Sequence, residues 1–355
     1  MLCADLCPAQ LHTELSLLEI IDNADLSTRI SLRLRSQVDR LIRVHHPAEL
    51  GDAKLALRGP FRGLLGEGSN SVFGAHIHGT LLQIAWRGIE RLDRYQVRAQ
   101  AGEHWDELVQ WSLSQNLQGL ENLSMIPGSV GAAPIQNIGA YGVELAQRFV
   151  SLEAVHWESM TRKRFSREAC LFAYRSSVFK HLSHQSWIIS HVDVQLNPLA
   201  TGESAASLDY RYPDLQQRFN RQPPDSALDI AAAIREIRSG KLPDPKVEPN
   251  AGSFFHNPRL SNEAALGLKA RFPELPIYRD GEHHHKLSAA WMIEQCGMKG
   301  QRLGDVGVSA KHALVLVNHG EATGEMLMAF ARKIIELVDE RFGLQLTIEP
   351  RVLLS

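Results

Sequence analysis

Residues 250–258 read NAGSFFHNP and set a serine hydroxyl, Ser253, between Gly252 and the paired rings of Phe254 and Phe255. Glycine frees the backbone ahead of the hydroxyl, and two apolar neighbours can thin the water around it. Such a serine serves either a packed turn or a placed proton donor. In YRSSVFK, residues 174–180, Arg175 offers a planar fork able to hold a carboxylate at two points. A surface ion pair is the commoner use of an arginine, but the flanking Tyr174 and Phe179 argue for a partly buried position. Arg238 and Lys241 stand one turn apart in REIRSGK, residues 235–241, where they can satisfy a helix dipole or catch an anion.

Two segments are rich in glycine: LLGEGSNSVF, residues 64–73, and GLENLSMIPGSVGAAPIQNIGAYGVEL, residues 119–145. Glycines let backbone amides approach a ligand and converge on it, which suits a pyrophosphate. Neither segment is a GxGxxG feeding a helix, so the usual dinucleotide fingerprint is absent. Tight turns alone would account for the first segment. The second crowds Gly128, Gly131, Gly139 and Gly142 among Ser129, Gln136 and Asn137, more than a structural loop needs. EHHHK, residues 282–286, invites a metal assignment, but adjacent histidines point apart on any regular element. It reads as an exposed loop, and no metal is expected.

These groups need elements to position them. A chain of 355 residues suggests two or three domains, and 44% hydrophobic with 22% charged residues is ordinary for a globular protein. A net charge of -2 supplies no field for nucleic acid or an acidic membrane, so local cations must catch any anionic ligand. Cys3, Cys7, Cys170 and Cys296 form no CxxC pair. Without a basic, apolar leader or a run able to cross a bilayer, a cytoplasmic protein is expected. The first two dozen residues suggest a helical extension. Strands are expected in ISLRLRSQVDRLIRV, GTLLQIAW, YQVRAQAG, WIISHVDVQL, HALVLVN and LQLTIEPRVLL, and helices in HWDELVQWSLSQNL, ALDIAAAIREIRSGK and TGEMLMAFARKIIELVDERFG. YPDLQQRFNRQPPDS reads as a linker.

In order along the chain, LGEGSNSVF, the 119–145 segment, YRSSVFK, KLPDPKVEPNAGSFFHNP and KLSAAWMIEQCGMKG closely resemble the UDP-N-acetylenolpyruvoylglucosamine reductase family, type I branch. The resemblance implies an α+β fold. Two α/β subdomains of the vanillyl-alcohol-oxidase type would hold FAD, and a C-terminal α/β domain would bind substrate. The implied ranges are 1–24 for an N-terminal extension, 25–78 and 79–222 for the FAD subdomains, and 223–355 for the substrate domain, whose last strand carries Glu349. The implied reaction is NADPH-dependent reduction of an enolpyruvyl ether on a UDP-sugar, in a monomer.

By resemblance, Gly66, Glu67, Gly68, Ser69, Asn70, Pro127, Gly128, Ser129, Gly131, Gln136, Asn137, Gly139, Ala140, Tyr141 and Gly142 would bind the flavin. Arg175, Ser253 and Glu349 would be catalytic, with Ser253 as the proton donor, shielded from water by Phe254 and Phe255. Tyr141, Tyr174, Tyr212, Arg238, Lys241, Asn257 and His312 would meet the substrate, and Tyr210 is the alternative to Tyr212 as its lid.

Overall fold

The computed structural model describes residues 18–200 and 207–354. Its first sheet has the order β1-β2-β5-β3, built from β1 (Glu19–Asp25), β2 (Gln37–Val44), β3 (Phe61–Leu65) and β5 (His76–Ile84). β5 lies parallel between β2 and β3, whose connection carries the short helix α1 (Leu50–Leu55). A parallel strand covered on both faces must be apolar on both, and in β5 the neighbours Leu81 and Leu82 are fully buried in different cores. The helical extension expected over the first two dozen residues is corrected from residue 19 onward; residues 1–17 lie outside the described residues. Pairing with β2 makes β1 a strand, fastened by Arg40–Asp22 (2.7 Å) and Arg43–Glu19 (2.6 Å). The strand expected from residue 30 starts only at Gln37, because Arg33 turns the chain through a left-handed φ of 46°.

The second sheet runs β12-β11-β13-β7-β6, all antiparallel. Its strands are β6 (Ile89–Arg91), β7 (Gln96–Gln100), β11 (Phe149–His156), β12 (Arg162–Ser166) and β13 (Trp187–Gln195). The helix α2 (Trp105–Ser114) buries Trp105, Leu108, Val109 and Leu113 in the core of this sheet, as their spacing requires. Two ribbons complete the region: β8 (Leu117–Gln118) with β14 (Asn197–Pro198), and β9 (Gly139–Ala140) with β10 (Val143–Glu144).

The expected linker is not irregular throughout, since α3 (Pro213–Arg218) starts at its proline. The next helix, α4 (Ala227–Lys241), starts in a capping box of Ser226 and Asp229. It buries Ile230 and Ile234 in the same core as Leu108 and Val192. The boundary expected at 222/223 therefore separates α4 from the unit it packs into. The one at 78/79 cuts through β5.

The C-terminal region holds the sheet β15-β21-β20-β19, made of β15 (Asn250–Ser253), β19 (Arg302–Leu303), β20 (Val306–Val308) and β21 (Val315–Asn318). A smaller sheet, β16-β18-β17, comprises β16 (Arg259–Ser261), β17 (Ile277–Asp280) and β18 (His284–Leu287). EHHHK is thus not merely a loop: His284, His285 and Lys286 enter the central strand. Around these sheets lie α5 (Asn262–Arg271), α6 (Ala289–Gln295) and α7 (Gly324–Phe342), the last capped by Thr323 and ended by left-handed Gly343. The chain closes with β22 (Arg351–Leu353), parallel to β4 (Ser71–Phe73) of the N-terminal region. Glu349 precedes that strand rather than lying on it. Leu41 and Leu81 share one core with Phe254, Leu316 and Ile334, so the two ends of the chain fold together.

Candidate active site

The two glycine-rich segments meet. A cavity of about 440 Å³ is lined by Gly66, Glu67, Gly68, Ser69, Asn70, Pro127, Gly128, Ser129, Gly131 and Gln136, and also by Trp187, Lys180, Glu349 and Arg351. Asn70 Nδ2 donates to the side-chain Oε1 of Gln136 at 3.0 Å and ties one segment to the other. Glycine is required at two points. Gly68 has φ +64°, and a Cβ there would stand 2.4 Å from the Arg29 carbonyl oxygen; at Gly131 it would stand 2.6 Å from the Ala101 Cβ. A trough lined by glycine backbone, with aromatic and aliphatic walls, suits the expected flavin dinucleotide.

The rest of the second segment does other work. Asn137 is fully buried, donates to Glu144 (2.7 Å) and the Ala173 carbonyl (3.2 Å), and accepts from the Ala146 amide (3.0 Å). With its side-chain polar atoms committed, it braces the β9–β10 hairpin and does not line the cavity. Gly139 and Ala140 form β9, and Tyr141 and Gly142, both at positive φ (49° and 83°), make the two-residue turn. These four do not line the cavity; the Gly139 carbonyl meets Arg175, and Tyr141 packs against Tyr212.

Arg175 sits at the tip of a tight turn closed by paired amide bonds between Ala173 and Ser176 (3.0 and 3.1 Å). Val178 and Phe179 anchor the turn in the core, and Ser177 Oγ donates to the Ile135 carbonyl at 2.7 Å. At φ 51°, Arg175 holds a left-handed conformation that a non-glycine residue adopts at a cost. One arm of the guanidinium donates to the Gly139 carbonyl at 2.9 Å. Its Nε is buried with no hydrogen-bond partner among the described residues and lies 3.6 Å from Glu349 Oε1, too far for such a bond.

Glu349 and Ser253 come from two hydrogen-bonded segments. The Phe254 carbonyl accepts from the Glu349 amide (2.9 Å), and the Thr347 carbonyl accepts from the His256 amide (2.9 Å). His256 Nδ1 lies 3.4 Å from the other Glu349 oxygen. Burial raises the Glu349 pKa against the charges of Arg175 and Lys180, while burial and those same cations press His256 down to about 4. The imidazole is therefore neutral near pH 7. Ser253 ends β15 after Gly252, whose φ is +70°. Its hydroxyl is exposed, with no hydrogen-bond partner among the described residues, whereas Phe254 and Phe255 are buried in the core. The expected shielding by those rings is corrected: they fix the strand, and any cover must come from a ligand or another element.

Tyr141 packs edge-on against Tyr212, ring centroids 5.1 Å apart. Burial pushes the Tyr141 phenol up to about 12, with the charge of Arg238 opposing. Tyr212 is 42% exposed, whereas Tyr210 packs on Phe219 against the core. Lys241 pairs with Asp214 at 2.6 Å. Burial lowers the His312 pKa, as do Lys299 and Lys241 nearby, and its Nδ1 accepts from the Leu314 amide. Asn257 Oδ1 accepts from the Ala289 amide at 3.0 Å at the start of α6, and its Nδ2 has no hydrogen-bond partner among the described residues. Tyr174 lies between Arg175 and Lys286, whose Nζ stands 3.7 Å above the ring centre.

His256, Lys180 and Lys286 escaped the sequence reading. Arg351 donates to the Arg62 and Leu64 carbonyls (both 3.1 Å) and lines the cavity. The spacing of Glu349 and Arg351, two residues apart in extended chain, was the available signal, because alternate residues share a face. Nothing in the sequence marks His256 as a neighbour of Glu349.

Residues 244–353 match the UDP-N-acetylenolpyruvoylglucosamine reductase C-terminal domain, and residues 63–162 match an FAD binding domain. The chain is 41% identical over 340 residues to the reductase of that name from Chromobacterium violaceum, covering 91% of this chain and 98% of the relative. The Pseudomonas aeruginosa counterpart is 44% identical over 295 residues, 81% of this chain and 85% of the relative. Among solved structures, the Thermus caldophilus reductase superposes with a TM-score of 0.66 at 24% identity, covering 95% of this chain and 99% of that one. The 6-hydroxy-D-nicotine oxidase of Arthrobacter nicotinovorans gives 0.53 at 13%, covering 95% and 88%. Together they establish the vanillyl-alcohol-oxidase-type FAD-binding fold.

Proposed function

This chain belongs to the UDP-N-acetylenolpyruvoylglucosamine reductase family, and from that membership we infer that Arg175, Ser253 and Glu349 carry its reaction. The activity is FAD- and NADPH-dependent reduction of UDP-N-acetylglucosamine enolpyruvate to UDP-N-acetylmuramate, a step of peptidoglycan precursor synthesis. The two glycine-rich segments would hold the FAD, which when bound supplies to one alkene carbon the hydride taken from NADPH.

As hydride arrives, negative charge builds on the substrate carboxylate. Arg175 meets that charge, and its buried Nε, with no hydrogen-bond partner among the described residues, is the observation that carries this reading. Glu349, whose pKa burial raises, retains a proton more readily than a surface glutamate and can donate it in a hydrogen bond to the enolic oxygen. Ser253 Oγ–H protonates the other alkene carbon. His256, neutral beside Glu349, orients that carboxyl. Tyr174, Arg238, Lys241, Asn257 and His312 bind the rest of the UDP-sugar, and Tyr212 closes over it against Tyr141. The same reading makes the protein a cytoplasmic monomer, to be checked by light scattering on the eluted peak.

Anaerobic stopped-flow spectroscopy tests the proposal. Holoenzyme reduced with one equivalent of NADPH should reoxidise when the enolpyruvyl substrate is added and yield the lactyl product. A flavin that stays reduced until air enters would instead assign the site to an oxidase of the same fold. If Arg175→Lys and Ser253→Ala both reoxidised at the wild-type rate, the assignment of roles would fail.

A further inference from the structure

Far from the active site, the first sheet carries a second cluster of donor groups. The run EHHHK fails as a ligand set because adjacent side chains diverge, but on a strand residues i and i+2 face the same way. His76 and His78 stand in that relation at the start of β5, their rings stacked 4.4 Å apart. The pairing of β2 with β5 shifts between Val38↔Ile77 and Arg40↔Thr80, so His78 and Gly79 together stand opposite Asp39. That bulge turns the carboxylate towards both rings. Asp39 Oδ1 lies 2.6 Å from His76 Nε2, and Oδ2 lies 3.7 Å from His78 Nδ1. The Gly79 amide donates to Oδ2 at 2.8 Å and fixes the carboxylate's orientation.

We propose that Asp39, His76 and His78 form a binding site for a divalent transition metal of the zinc class. One donor atom from each residue lies within 4.8 Å of the other two. Tetrahedral zinc bonds of about 2.0–2.2 Å put ligand atoms roughly 3.3 Å apart. The two Asp39 oxygens lie 2.6 and 3.7 Å from the His76 and His78 ring nitrogens, distances that bracket that spacing. Two imidazoles and one carboxylate suit zinc or nickel over magnesium or calcium, and water would complete the shell. The Gly79 amide plays the supporting part that such carboxylates usually require. Ile84, at the other end of β5, lines the flavin cavity. Eight residues of strand separate it from His76, roughly 26 Å. The metal would thus clamp the β2–β5 pair, not join the chemistry.

Titrating Zn²⁺ into untagged holoenzyme by calorimetry, with thermal melts in parallel, tests the site. Wild type should take up one ion saturably and melt at a higher temperature with zinc present. His78→Gln, whose side chain is 77% exposed and so outside the folding core, and Asp39→Asn should each weaken binding at least about tenfold. His284→Gln/His285→Gln should bind as wild type does. Absence of saturable uptake would overturn the proposal, as would uptake unchanged in His78→Gln or lost in the His284/His285 variant. None of these outcomes depends on the reductase reaction.

Discussion

Ser253, Arg175 and His256 each fail in a distinguishable way when altered. Ser253→Ala should leave flavin reduction by NADPH unchanged and slow reoxidation by substrate about 10²–10⁴-fold, the usual worth of a placed acid. Arg175→Lys keeps the charge but loses the fork that reaches Gly139 and the empty Nε position. Turnover should fall about 10²–10³-fold with flavin still bound, read as kcat against absorbance of the holoenzyme. His256 makes a pH argument. Its folded pKa, about 4, lies below the ordinary 6.5, so acid protonates the unfolded chain first. Its contribution to stability is therefore complete above about pH 6.5 and is lost as the pH falls towards 4. Melting temperatures of His256→Gln should drop less between pH 7 and pH 5 than those of wild type; an equal drop would remove His256 from the account.

The glycine-rich segments hold their function in places where a side chain cannot stand. Gly131→Val would drive new carbons into Ala101, already 2.6 Å from the position of a Cβ. Purified protein should then carry little FAD, measured as the ratio of flavin to protein absorbance. Sequence alone marked these segments as unusual, because so many glycines among amides and hydroxyls exceed what a turn needs. It did not separate the residues that line the cavity, Ile138 among them, from Asn137 and Gly139–Gly142, which do not. That division rests on Asn137 Nδ2 reaching Glu144 and Ala173, a contact 36 residues away in the second case. Helices were easier: α2, α4 and α7 carry apolar spacing and caps within their own residues. β1 was missed because its partner strand, rather than its own alternation, makes it a strand.

At the scale of the molecule, the N- and C-terminal regions share a core, and β22 lies on β4. They should unfold together. Leu316→Ala, in the centre of that core, should cost about 2–5 kcal/mol. Hydrogen exchange should show the loss in β2 and β5 as well as in β21, while a loss confined to β21 would mean separate folding units. Long-range packing also bears on the expected boundaries. A linker-like composition at 212–226 suggested a break, yet α4 beyond it packs into the core before it. Family membership, the FAD fold, and Arg175, Ser253 and Glu349 as residues to examine were all legible in the sequence, because each rests on residue type within a short motif. Only the tertiary structure decided what surrounds them: His256 beside Glu349, an exposed Ser253 over buried rings, and Arg351 reaching the first glycine segment. The His256 and Arg351 contacts join residues tens to hundreds of positions apart, and the packing that selects them is a property of the whole chain, which no local pattern records.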